Sequence, residues 1–411
     1  MRYFILFLLS IFPFAVIAEN FLTTTISRSL VKMGMEDVVV KEDEGIFRIF
    51  FDDNIYRGPA RGTFEIIRML IENPEIKNEI HLIIQENRIS QIVITLPAAS
   101  ILGYHESNLS LHDVMSSVKV SYDTDREDSY LKDTKRANTS AGKMDLIFYP
   151  QITLRNSWFD KLYGYAFNIA PALEVNLWKG AFFTGQVIFP VLNNMDGEVD
   201  YIRAGFLTFR QEYRFSHNVF TSLAVGNFNM NRMGVDANVS YRPNNDRWMV
   251  NLNGGLTGSS TFYGGSWSVS PWKRFTGSVS FRYNEPVYGL QFDITAQRHV
   301  YGDYGARFDC SRHFGEVSIG FYAMHTGGEP NGGFNFTVPL PQKKRTNRRL
   351  IRIGIPEYFD WEYEAQSGNE YTAKRLGHYY EIRPDENRSQ RYYNPDYIKK
   401  SLMQLADDAK D

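Results

Sequence analysis

The sequence predicts a mostly β fold, an antiparallel transmembrane outer-membrane β-barrel of about 14 strands preceded by a small periplasmic α/β domain. Three observations predict it. First, Arg274 to Tyr283 sets Phe275, Gly277, Val279, Phe281 and Tyr283 against Arg274, Thr276, Ser278, Ser280 and Arg282. The next segment repeats the rule, with Tyr288, Leu290, Phe292, Ile294 and Ala296 against Gly289, Gln291, Asp293, Thr295 and Gln297. A period of two sends each set to one side of a sheet. Second, such segments of roughly ten residues, parted by Gly, Asn, Asp and Pro, continue from Lys143 to Glu364. Third, beyond the N-terminus no stretch is apolar enough for a spanning helix, so any membrane passage is made by strands.

Taken in order, the chain opens with Met1-Arg2-Tyr3, an apolar run from Phe4 to Ile17, and Ala18 before Glu19. A basic start, a short apolar centre and small residues at a cleavage site make 1–18 a secretory signal peptide. The run falls short of the roughly 20 residues that a spanning helix needs. In an exported chain the single cysteine, Cys310, has no intramolecular partner, and no cysteine follows the signal to carry a lipid anchor. The formal net charge of -2 argues against a nucleic-acid partner. Aromatic residues at 15% suit girdles at both membrane interfaces.

Residues 19–99 read as the periplasmic α/β domain. Thr23 to Met33 is helical with Gly34 as its stop, and Asp37 to Val40 and Ile46 to Phe51 are short strands. Phe64, Ile67, Leu70 and Ile71 mark a second helix ended by Pro74. Ile80 to Gln85 and Ile89 to Leu96 then form a hairpin. The polar stretch 100–142 reads as a linker. Strands of the barrel, 143–366, are expected to begin near Lys143, Tyr163, Gly180, Tyr201, Asn218, Arg232, Arg247, Thr261, Arg274, Val287, Tyr304, Glu316, Gly333 and Glu357. Twelve or sixteen strands also fit these soft boundaries, and an even number suits a single-chain bacterial barrel. Tyr201 to Phe215 is irregular, since Arg203 and Arg210 fall on opposite faces, which points to a bulge or a misplaced boundary. Residues 367–411 read as a polar, tyrosine-rich tail with a helix near Asp396 to Ala409, lying in the periplasm or folded back into the barrel mouth.

Alternation turns Glu174, Asp236, Asn238, Asn251, Asn253, Arg282, Gln291, Asp293, Gln297, Arg307 and Asp309 inward as lumen-lining residues. These groups pair with one another as filling, offer hydrogen bonds to a hydrated sugar chain, or do both. The basic cluster Lys343, Lys344, Arg345, Arg348, Arg349 and Arg352 is a candidate contact for an acidic glycan or for lipopolysaccharide phosphates, against the plainer reading of a solvated loop. Ser311 and His313 lie two apart on a strand, where side chains point alongside each other, and no oxyanion motif accompanies them. The remaining histidines show no metal-ligand spacing. No catalytic residue, metal site or cofactor is assigned.

Several stretches resemble a known family. Leu30-Val31-Lys32-Met33-Gly34-Met35-Glu36-Asp37-Val38, Tyr56-Arg57-Gly58-Pro59, Gly142-Lys143-Met144-Asp145-Leu146 with Tyr149-Pro150-Gln151, and Ile355-Pro356-Glu357-Tyr358-Phe359-Asp360-Trp361-Glu362-Tyr363 are similar to the YjbH-like (GfcD-like) exopolysaccharide biosynthesis proteins. The resemblance implies an outer-membrane β-barrel that works with periplasmic or lipoprotein export partners in secreting extracellular or capsular polysaccharide. It supplies no catalytic residue. The expected surroundings are therefore outer-membrane lipid and lipopolysaccharide, a polysaccharide chain and an export partner. A general diffusion porin is the main alternative, and a barrel hydrolase acting through Ser311 and His313 is a third.

Overall fold

The computed structural model describes residues 21–131, 134–156, 163–195, 200–244, 247–341, 344, 350–366, 369–384 and 393–409. The expected signal peptide lies outside them. The chain divides into two compact units, one made of Met1–Ser140 with Lys399–Asp411 and the other of Ala141–Ile398.

The first unit starts with α1 (Phe21–Met33), which stops at Gly34. Gly34 has φ 106 and its N–H returns to the Leu30 carbonyl at 3.1 Å, a helix end that favours a residue without a side chain. Strands β1 (Glu36–Asp43) and β2 (Ile46–Asp52) form a hairpin over Glu44 and Gly45, both at positive φ, the turn whose twist matches paired strands. Helix α2 (Pro59–Ile71) begins on proline and buries Phe64, Ile66, Ile67, Leu70 and Ile71. It carries the chain over to β3 (Glu79–Glu86), which pairs with β2 in parallel, as a helical crossover requires. A second tight hairpin, through Asn87 and Arg88 at positive φ, leads to β4 (Ile89–Leu96).

The stretch 100–142 is folded and is not a linker. It contains most of α3 (Ala98–His105), then α4 (Leu111–Ser117), β5 (Lys119–Ser121), α5 (Asp125–Asp128) and a 3-10 turn, Ser129–Leu131. Ser110 and Asp113 close a capping box on α4, and β5 completes the sheet order β1-β2-β3-β4-β5. Polar composition misleads here because the charges are anchors. Glu127 accepts from Arg48 Nε at 2.8 Å and lies 2.9 Å from His81 Nδ1, while the fully buried Arg48 guanidinium rests 3.9 Å from the centre of the Tyr130 ring. Arg136 donates to the Asp37 carbonyl and to Gln85, and Asn138 bonds Met35 and Val38. Ser140 bonds the buried Asp37 carboxylate, which also takes Arg88 Nε. The last helix (Pro395–Asp408, below α7) has Asp407 at 2.9 Å from His112 in the same unit.

The second unit is one fifteen-stranded sheet. Its strands are β6 (Met144–Asn156), β7 (Tyr163–Asn176), β8 (Ala181–Asn193), β9 (Arg203–Phe215), β10 (Val219–Phe228), β11 (Arg232–Tyr241), β12 (Trp248–Tyr263), β13 (Ser266–Val269), β14 (Arg274–Glu285), β15 (Leu290–Arg298), β16 (Tyr304–Phe314), β17 (Val317–Thr326), β18 (Glu329–Pro339), β19 (Ile351–Gly354) and β20 (Tyr358–Gln366). Sequence neighbours pair antiparallel from β6 to β12 and from β14 to β18, with β12 joined to β14. The path ends at β19 and β20, and does not close on itself through paired strands.

Three expectations are corrected. The strand expected at Thr261 is the far end of the sixteen-residue β12, which folds over Gly264 and Gly265 onto the four-residue β13. The strand expected at Gly333 starts at Glu329, because only Gly327 and Gly328, both at positive φ, make the turn. The even count also changes. After the alternating strands β6 to β18, the chain's next pass points the same way as β6, and β19 accordingly pairs with β6 in parallel, Ile351 opposite Met144. The irregularity expected at Tyr201 to Phe215 appears as a register shift between β8 and β9, from Gly185 opposite Leu207 to Val187 opposite Ala204.

After β20 comes the short helix α6 (Asn369–Ala373), then α7 (Pro395–Asp408). The polar tail is therefore not apart from the folded units. Tyr371 and Leu376 are buried with Tyr322 and Met324 of β17, and Lys399–Asp411 belongs to the first unit.

Burial pushes the Asp52 carboxyl well above the usual carboxylate range, with Asp37 and Glu36 adding repulsion against the Arg88 N–H and Arg136. The folded chain thus holds that proton more tightly than the unfolded chain does. Asp52 costs stability as pH rises from about 3.9 through the raised value, and goes on costing it above. Asp52→Asn is expected to stabilise the first unit at pH 7 and to be neutral near pH 3. Hydrogen exchange of Ile80 to Gln85 in the two forms at both pH values measures this; equal protection at pH 7 would contradict it.

Candidate functional site

The second unit's sheet has two chemically distinct faces. Along β14, Phe275, Val279 and Phe281 stand on one side and Thr276, Ser278, Ser280 and Arg282 on the other. Cross-strand register carries the rule across the sheet: Phe281 faces Ile294, which faces Phe308. Arg282 likewise faces Asp293, which faces Asp309. The polar face is the concave one. Arg307 on β16 reaches Glu362 on β20 at 2.7 Å, although the strands are three places apart, about 14 Å in a flat sheet. Tyr201 similarly donates to the Phe262 carbonyl, from the chain before β9 to the end of β12, at 2.5 Å.

The expected lumen-lining residues all lie on this face, and most are paired there. Tyr149 donates to Glu174 at 2.7 Å. Arg282 Nε donates to Asp293 at 2.6 Å, and Gln291 donates to the other Asp293 oxygen at 2.6 Å. Gln297 lies 3.1 Å from His299. Arg307 is held by Asp309 at 2.7 Å and by Glu362, with its guanidinium carbon 3.8 Å from the centre of the Tyr322 ring. Asn253 donates to Asp236 at 2.8 Å. Asn238 stands opposite Asn253 in the β11–β12 register, and Asn251 opposite Ser240. A carboxylate left alone in such a semi-enclosed place would be costly, and pairing across neighbouring strands avoids that.

Of the basic cluster, only Lys344 and Arg352 are among the described residues. Arg352, on β19, turns inward, is buried, and makes a two-pronged ion pair with Asp145 at 2.6 Å. It is committed to the β19–β6 junction. Lys344 is exposed, and Lys343, Arg345, Arg348 and Arg349 lie outside the described residues. Nor do Ser311 and His313 form a pair, for His313 Nε2 meets Gln291 at 3.2 Å. Among the described residues no group of three or more His, Cys, Asp or Glu could hold a metal ion.

The tail, for which the barrel mouth was one of two expected places, contributes to this face through contacts that sequence reasoning did not name. Gly377 N–H donates to Asp303 at 2.9 Å, and the Val300 N–H donates to the His378 carbonyl at 3.0 Å. Tyr380 stacks on Phe228, centroids 5.3 Å apart and planes 7° apart. Its hydroxyl donates to Asp236 at 2.8 Å and lies 3.1 Å from Thr276 Oγ1. Glu381 N–H donates to Asn229 Oδ1 at 2.7 Å, and Asn229 Nδ2 returns a bond to Glu381 at 2.8 Å. The signal was visible in Tyr371, Tyr379 and Tyr380, whose large rings are uncommon in a stretch that stays solvated.

In comparisons with known proteins, the family model described as exopolysaccharide biosynthesis protein YbjH matches residues 17–342. No curated protein matches the chain. Among solved structures, a loop L8 deletion mutant of OmpT, an outer membrane protein of Vibrio cholerae, is 10% identical, with 47% of this chain and 85% of that one covered and a TM-score of 0.25.

The Arg307 cluster gives a direct test of pairing on the polar face. Arg307→Ala leaves Asp309 and Glu362 without their cation and is expected to lower stability by about 2–4 kcal/mol. Arg307→Lys should recover little, because an ammonium cannot reproduce the forked contact. Urea midpoints of the folded band in detergent measure both, and unchanged midpoints would show that the cluster carries no stability.

Proposed function

Since the chain belongs to the YjbH family of exopolysaccharide biosynthesis proteins, we propose that its large sheet is an outer-membrane β-barrel taking part, without catalysis, in the export or assembly of extracellular or capsular polysaccharide. The observation that carries this reading is the apolar band on the convex face. Ile169, Phe189, Leu207, Leu223, Val239, Leu252, Val279, Ile294, Phe308 and Phe321 come from successive strands and are 37–65% exposed. A band of that extent far exceeds the apolar patches soluble proteins tolerate and suits contact with lipid tails. Rings at the strand ends, such as Trp178, Tyr213, Trp267 and Tyr304, suit interfacial girdles.

The opposite face supports passage of a hydrated chain. Its amides, hydroxyls and paired charges offer hydrogen bonds and little unbalanced charge, which favours weak and repeated contact over tight capture. Unit one stays in the periplasm on this reading and docks on periplasmic or lipoprotein export partners. Energy comes from those partners, because the chain carries no nucleotide-binding motif.

Two experiments test the proposal. A strain lacking the gene is expected to lose surface polysaccharide and accumulate it inside, with recovery on restoring the gene; unchanged surface polysaccharide would overturn the export role and leave a diffusion porin. Val279→Arg, at mid-strand on the apolar face, is expected to cost about 2–4 kcal/mol in membrane-folded stability, whereas Ser278→Arg, on the polar face, costs much less. Equal effects of the two substitutions on membrane assembly would contradict the assignment of faces.

A further inference from the structure

The tail segment Tyr371–Glu381 adds no strand to the sheet, yet it lies along the polar face. Its holdings reach β11, β14 and β17 and the two connections at Asn229 and at Val300 to Asp303. The one with the most partners is the Tyr380 phenol. Phe228, 1% exposed, provides a parallel ring, and Asp236 and Thr276, both buried, provide the hydrogen-bond partners. Gly255 on β12 makes the room: a Cβ there would overlap the Tyr380 hydroxyl and crowd Thr276 Oγ1 and Asp236. The adjoining contacts are similarly fitted, since Gly377, at φ +70, leaves space for the Tyr371 hydroxyl, and Gly327 faces Leu376 closely.

We propose that Tyr371–Glu381 is a plug across the polar route and that the seating of Tyr380 between Phe228, Asp236 and Thr276 is its latch. The proposal rests on the barrel reading above. Two features distinguish a latch from filling that belongs to the sheet. The segment is held mainly by side chains and single backbone bonds, so it can leave without breaking the strand ladder. Its withdrawal also uncovers an aromatic face beside a carboxylate, an amide from Asn253 and a hydroxyl, groups that hydrogen-bond and stack with a hydroxyl-rich polymer. A stacked ring and hydrogen bonds to a carboxylate and a hydroxyl are together enough to bias the closed form by about tenfold or more.

The test uses the full chain, folded in detergent, reconstituted into planar bilayers in potassium chloride, and checked for membrane insertion by liposome flotation. Tyr380→Ala is expected to raise the time-averaged conductance at least about tenfold over the unaltered chain, and Tyr380→Phe, which keeps the stack, to fall between them. A second variant pins the segment. Asn229→Cys with Glu381→Cys, in a Cys310→Ser background, should stay closed when oxidised and regain the conductance of its reduced form on adding a thiol. Inserted Tyr380→Ala protein conducting no better than the unaltered chain would overturn the plug, as would an oxidised double-cysteine variant that conducts like its reduced form. Failure of every form to float with liposomes is a different result: it removes the barrel reading, and the plug with it.

Discussion

The antiparallel main-chain ladder from β6 to β18 is the constraint on which the rest of the second unit depends. Strand pairing fixes register, and with a side-chain period of two a slip of one residue would carry every apolar side chain of a strand to the polar face. The register that places Phe281 opposite Ile294 and Phe308 also places Arg282 opposite Asp293 and Asp309. One set of hydrogen bonds therefore sorts both the lipid-compatible band and the paired charges. Where the ladder shifts, between Gly185 and Val187 of β8, the sorting resumes one residue later without losing its sense.

The junction at β19 shows how the ends of the sheet are handled. Ile351 to Gly354 pairs in parallel with Met144 to Ile147, and after only three intervening residues Tyr358 begins pairing with Pro339 of β18. One stretch of chain thus serves both ends of the sheet. Arg352 and Asp145, adjacent in that parallel register and bound through two hydrogen bonds, supply a side-chain clamp at the same place. In the first unit Glu127 has a comparable task, drawing Arg48 and His81 together from neighbouring strands. In both units the buried charges tie elements distant in sequence.

Much of this could be read in the sequence because alternation is a local signal. Phe275 to Tyr283 declares its faces without reference to any neighbour, and the helix stop at Gly34 and the proline start of α2 are equally local. What could not be read depends on distant partners. The four-residue β19 has no periodicity to detect and exists through Met144 to Ile147. The stretch 100–142 looked like a linker because Glu127, Arg136 and Asn138 are polar, and their partners Arg48, Asp37 and Met35 lie about 80 to 100 residues earlier. Arg352 looked like part of a basic patch for the same reason. Among the candidate lumen residues the face was legible from alternation, as were pairs two apart on one strand such as Arg307 with Asp309, while distant partners were not: nothing local links Arg307 to Glu362 or Asp236 to Tyr380.

The central claim is that the apolar face of the sheet meets lipid while the opposite face meets water. Single cysteines at successive positions from Phe275 to Arg282, in a chain whose Cys310 is replaced by serine, can be labelled in intact outer membranes with a small membrane-impermeant maleimide. The account predicts labelling with a period of two below the Tyr380 contact at Thr276, with Ser278, Ser280 and Arg282 positions reactive and Val279 and Phe281 positions protected. Uniform labelling along the strand would contradict it.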